Sequence, residues 1–129
     1  MRRFKVFRRI FHFHGFLESL TLALNGIVYL FLYHRNMRII FLTGIAAFLL
    51  GIYFRLKGIE LITLCLTITV VFMAEMFNTA IELLIDMTTR KYHTLIKLVK
   101  DIAAAVVLLA SLNAVAVGII LFSKHIFKK

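Results

Sequence analysis

Three apolar runs, residues 39–54, 59–85 and 102–122, constrain this 129-residue chain more than any other feature. Together they hold too much hydrocarbon for a domain of this size to hide from water. With 62% hydrophobic residues, 13 Phe and no Pro, the chain reads as a small helical protein whose solvent is a bilayer. The first run is short for a hydrocarbon core of about 30 Å, but Arg38 and Arg55 can carry their charges to its two surfaces on aliphatic stems. The runs predict three transmembrane helices over 37–55, 59–86 and 101–123, within one domain covering 1–129. Ala110, Ala114 and Gly118 recur every fourth residue of the last and would let another helix approach closely.

Residues 1–36 differ in character. MRRFKVFRR followed by the apolar stretch 20–33 has the outline of a signal peptide without a small-residue cleavage site, so retention is expected. The stretch carries Glu18, Ser19, Thr21 and Asn25, and Arg35 and Arg38 follow at once. That pattern favours an amphipathic helix lying in the headgroup layer over a fourth span. The expected fold class is therefore all-α integral membrane, with three spans and an N-terminal surface helix. With the N-terminus inside, eleven of the sixteen Lys and Arg residues fall on the cytosolic side of a cytoplasmic (inner) membrane. The net charge of +10 thus flanks spans, and anionic lipid, not nucleic acid, is its nearer partner. Cys65 is the single cysteine, which excludes an intrachain disulfide and a cysteine cluster for zinc.

The chemistry is concentrated in AEMFNTAIELLID, residues 74–86. Of six acidic residues in the chain, four, Glu75, Glu82, Asp86 and Asp101, fall between 75 and 101. At about 100° per residue, Glu75, Asn78, Glu82 and Asp86 share an arc of about 80° on one helix face. If the hydrocarbon core begins near Leu61, Glu75 lies roughly 7 Å beneath the cytosolic boundary, with Glu82 and Asp86 among headgroups. A carboxylate at mid-membrane costs about 2.5 to 3.5 kcal/mol on insertion scales, so it calls for a partner or a function. Interhelical hydrogen bonding explains a single Asn or Glu, but three carboxylates repel one another unless cations join them. The following loop, MTTRKYHTLIKLVKD, brings Arg90, Lys91, His93, Lys97 and Lys100 to the same surface, where they can meet phosphate oxygens while carboxylates hold Mg²⁺. These parts suit phosphoryl transfer to a lipid alcohol, with a carboxylate as base. No GxxxxGK[ST] or kinase glycine loop occurs, so spacing alone leaves the donor open.

AEMFNTAIELLID followed by KYHTLIKLVKDIAAAVVLLA resembles the E-x-x-N-[ST]-A-I-E-x-x-x-D and YH…KD signature of prokaryotic diacylglycerol kinases and undecaprenol kinases. RNMRI with EMFNTAIE is similar to the Gram-positive undecaprenol kinase branch. The resemblance implies a homotrimeric, ATP-dependent and Mg²⁺-dependent lipid kinase with active sites at subunit boundaries near the cytosolic face. It implies that Glu75 accepts the proton, Asn78 supports it, Glu82 binds metal and nucleotide phosphate, and Asp86 closes the motif. Tyr92, His93, Lys100 and Asp101 match the nucleotide-contacting segment. Two positions depart from the signature: His34 stands where the family has a second metal-binding Glu, and Lys91 where Glu commonly precedes Tyr-His. Imidazole is a poor Mg²⁺ ligand. The acceptor, undecaprenol or diacylglycerol, is open at this point, as are two other readings: a proton-coupled transporter built on Glu75, and a catalytically weakened scaffold subunit.

Overall fold

The computed structural model describes residues 15–88 and 94–127, which are helical apart from short connections. Among the described residues four helices follow one another: α1 Phe16–Tyr33, α2 Arg35–Tyr53, α3 Ile59–Thr88 and α4 Thr94–Ile126. All four are long and apolar enough to cross a membrane. The basic segment preceding α1 lies outside the described residues. The chain divides into two units, 1–34 and 35–129, each described by itself.

In the first unit, α1 begins after Gly15 with Glu18 in its first turn, at the positive end of the helix dipole. It closes at His34, whose backbone N–H donates to the Leu30 carbonyl at 2.9 Å. The Tyr29 ring sits 4.8 Å from Tyr33 and 6.0 Å from His34, centroid to centroid. α1 is the most one-sided of the four helices, which fits a headgroup-layer helix, and it also has the length of a span.

In the second unit, α2 and α3 are joined by a tight reversal. Leu56 donates its N–H to the Gly51 carbonyl and Arg55 to that of Ile52, both at 2.9 Å, the paired bonds of a Schellman motif. Arg55 holds the left-handed position at φ 57°, where glycine is the usual occupant. Leu56, the apolar residue that follows, is buried with Leu64 and Leu121 in the core cluster at this end. The helices then run antiparallel and close together. A Cβ on Gly51 would lie 2.6 Å from Leu64 Cδ2, and one on Gly44 2.9 Å from Ile68 Cγ2. Gly51→Leu overfills this contact, and we expect a loss of about 1 to 3 kcal/mol, read as a lower unfolding midpoint in detergent.

α3 and α4 form an antiparallel pair tied near both ends. At one end Lys100 Nζ lies 3.0 Å from Asp86 Oδ1, and at the other His125 Nε2 lies 3.9 Å from Glu60 Oε2. Phe54 packs 5.7 Å from Phe122 beside the second tie. α3, with 30 residues, is about 45 Å long and so outruns a 30 Å hydrocarbon core, as does α4.

One boundary differs from the sequence expectation. α4 starts at Thr94, not near 101, so Lys97, Lys100 and Asp101 are helical and not part of a loop. In TLIKLVKD the apolar residues Leu95, Leu98, Val99 and Ile102 keep the helical period, and a helix need not stop where the hydrocarbon does.

Candidate functional site

The acidic stripe of α3 grades from buried to exposed along one face. Glu75 is 4% exposed, Asn78 and Glu82 are half-buried, and Asp86 is open to the surroundings. The grading follows from helix length: α2 covers α3 around Glu75, whereas the last turns of α3 run on toward the connection to α4.

Glu75 is matched from α2. The side-chain amide of Asn36 donates through Nδ2 to Glu75 Oε1 at 2.5 Å. One helical turn along, Asn78 Nδ2 donates to Glu82 Oε1 at 3.3 Å, in the i, i+4 relation that brings side chains together on a helix. Asn78 thereby turns its carbonyl oxygen away from Glu82, and that oxygen is buried with no hydrogen-bond partner. A buried amide oxygen left so costs about 1 to 3 kcal/mol, and its lone pairs are available to a ligand. At the exposed end, Asp86 is held by Lys100 across the start of α4, and Asp101 is exposed on the same part of that helix.

The sequence-identified residues therefore separate into three groups. Glu75, Asn78, Glu82 and Asp86 follow one another along one face of α3, with Asn78 bonded to Glu82 and Asp86 to Lys100 in the first turns of α4. Tyr92 and His93, like Arg90 and Lys91, lie outside the described residues. His34 belongs to the first unit, at the end of α1. Sequence reasoning missed Asn36, which was read only as a letter of RNMRI. With α2 and α3 antiparallel through a short reversal, positions 36 and 75 lie about twenty residues to either side of it and so at one level, but which helix faces meet there is set by rotation that the sequence does not signal.

The donor set bears on which cation the site can take. Among the described residues no three His, Cys, Asp or Glu side chains gather as a metal cage. Glu82 and the orphan oxygen of Asn78 are hard oxygen donors, and Mg²⁺ is commonly held by one or two carboxylates with substrate phosphates completing its shell. The residues present fit Mg²⁺ bound together with a polyphosphate.

Beyond Glu75, on the side away from Asn78 and Glu82, an apolar groove of about 290 Å³ lies among α2, α3 and α4. Its walls include Ile40 and Val71, each one turn from Asn36 and Glu75 respectively, with Gly44, Ala47 and Gly118 leaving room. Thr43 and Thr67 at the groove donate to carbonyls of their own helices, those of Ile39 and Thr63, which leaves its surface mostly hydrocarbon.

A helical membrane protein with a buried carboxylate one turn from an apolar groove, and further acidic and amide oxygens along the same helix face, is the class these features define. The chain belongs to the prokaryotic diacylglycerol kinase family, whose model matches residues 21–122. It is 41% identical over 103 residues to a diacylglycerol kinase of Synechocystis sp., a match covering 79% of this chain and 59% of that protein. It is 32% identical over 107 residues to an undecaprenol kinase of Bacillus subtilis, covering 83% of this chain and 87% of the relative. The chain thus spans less than two thirds of the Synechocystis relative. The higher of these two identities falls to the protein named for diacylglycerol, so RNMRI and EMFNTAIE do not by themselves select the prenol.

Proposed function

We propose that this protein is an integral-membrane lipid kinase transferring the γ-phosphate of ATP to the hydroxyl of undecaprenol or diacylglycerol. The observation that carries the reading is Glu75: a carboxylate 4% exposed, one turn from the apolar groove wall at Val71 and on the same helix face as Asn78 and Glu82. The lipid tail lies along hydrocarbon while its hydroxyl meets Glu75. As the hydroxyl oxygen attacks the γ-phosphorus, Glu75 takes its proton, a new P–O bond forms, and the bond to the β-γ bridging oxygen breaks to release ADP. Glu82 and Asn78 would hold Mg²⁺, which would supply neutralisation of charge on the transferring phosphates. Lys100, held at the surface by Asp86, lies with Asp101, Tyr92 and His93 in the nucleotide-contacting segment. The spans are α2, α3 and α4, with α1 on the membrane surface, three protomers assembled, and the N-terminus and site on the cytosolic side of a bacterial inner membrane. Small residues on α4, Ala110, Ala114 and Gly118, serve helix approach in that assembly.

The test is transfer of radiolabelled γ-phosphate into undecaprenol and diacylglycerol, presented separately in mixed micelles with Mg²⁺. We expect label in lipid, dependent on Mg²⁺, and a preference between the two acceptors. Absence of label in both rejects the kinase reading and favours a scaffold subunit. Uptake into proteoliposomes without ATP favours the transporter.

A further inference from the structure

Glu75 sits in the middle of α3, where every nearby backbone N–H is committed to the helix. Whatever aligns its carboxylate must therefore be a side chain. Asn36, 39 residues earlier, fills that role in the structure, with Nδ2 2.5 Å from Oε1. The amide nitrogen is the end that matches a carboxylate, since the reverse orientation would set two acceptors against each other. Met37, the next residue, is wholly buried, so this first turn of α2 is fixed by packing and the amide is delivered from a held backbone.

The choice of a neutral donor has a chemical consequence. A Lys or Arg here would form an ion pair with Glu75 and oppose its taking a proton. An amide fixes one oxygen through a hydrogen bond and adds no charge, leaving the second oxygen to accept the hydroxyl proton. Resting on the kinase reading, we propose that Asn36 is the positioning residue for the Glu75 base. It acts through Glu75 and sets the direction in which the carboxylate meets the lipid hydroxyl.

The experiment compares the parent, Asn36→Leu, Asn36→Asp, Glu75→Gln and the double variant Asn36→Leu with Glu75→Gln, using the full chain in mixed micelles. Phosphoryl transfer is measured against both lipid and ATP concentration. Asn36→Leu lowers kcat by about 10- to 100-fold, the rate equivalent of losing one hydrogen bond to a charged group, and leaves the ATP KM within about twofold. Asn36→Asp is worse than Asn36→Leu although it is isosteric, because it sets a second carboxylate against Glu75. The double variant is no slower than Glu75→Gln alone, since the two groups act as one unit.

A purely structural Asn36 gives the reverse order, with isosteric Asp the milder change, and that result overturns the proposal. An additive loss in the double variant, or an effect confined to KM, overturns it too. Infrared spectroscopy of the carboxylate stretch, assigned by its absence in Glu75→Gln, must also show the Glu75 band moving in Asn36→Leu; an unmoved band counts against the bond itself. A parent that phosphorylates neither lipid, or a Glu75→Gln variant that stays active, removes the base and with it the kinase reading. A fully active Asn36→Leu beside an inactive Glu75→Gln removes only the positioning role.

Discussion

Glu75→Gln is expected to reduce kcat for lipid phosphorylation by about 10²- to 10⁴-fold, the range that general-base catalysis commonly supplies. The substitution keeps side-chain length and shape, and the Gln carbonyl can still accept the amide of Asn36 across the α2–α3 contact. What it removes is the ability to take a proton. The loss should therefore appear in kcat, while the ATP KM stays within about threefold and the detergent unfolding midpoint holds, because no buried group loses a partner. Retention of more than about a tenth of parental turnover would show that the proton leaves by another route. A collapse in stability would instead assign Glu75 to interhelical bonding, the plainest alternative for a polar group inside a membrane helix.

The expected contrast with Gly51→Leu is instructive. That change acts where Gly51 of α2 packs on the Leu64 side chain of α3, toward the other end from Glu75, and is expected to lower stability without altering the ratio of kcat to KM in the folded fraction. Together the two variants separate the helix contact that builds the scaffold from the carboxylate that uses it.

Much of this arrangement is legible from residue order alone. Apolar runs of membrane length announce the helices, because in hydrocarbon a chain must satisfy its own backbone, and a helix does so locally. The 80° stripe on α3 follows from the helical period, which is also local, and the structure finds Asn78 and Glu82 bonded along it. The legible part ends where contacts depend on the rotation of one helix about another. Asn36 is such a case: nothing within RNMRI marks its amide as a partner for Glu75, and only the antiparallel reversal at 54–58 pairs them. The helical state of residues 94–101 is hidden for a related reason. Basic residues in TLIKLVK suggest a loop, yet its apolar positions continue the helical stripe of the span beyond the hydrocarbon boundary. The His125–Glu60 tie likewise joins residues 65 apart in sequence, and neither one alone signals the other.

The cation should respond to Glu82 most strongly. In Glu82→Gln the acidic oxygen next to Asn78 becomes a neutral amide, and the amide of Asn78 keeps an acceptor at its present partner, so the local hydrogen bond survives while the charge is lost. Mg²⁺ prefers anionic oxygen and surrenders its water reluctantly, so the Mg²⁺ concentration for half-maximal transfer is expected to rise by at least about tenfold. His34→Glu tests the complementary point. His34 ends α1 with an extended backbone and carries imidazole where the family signature has a carboxylate. A lower Mg²⁺ requirement in His34→Glu than in the parent would assign position 34 a part in metal binding, since a carboxylate is the better Mg²⁺ ligand. An unchanged requirement would make His34 an interfacial histidine with no part in the reaction.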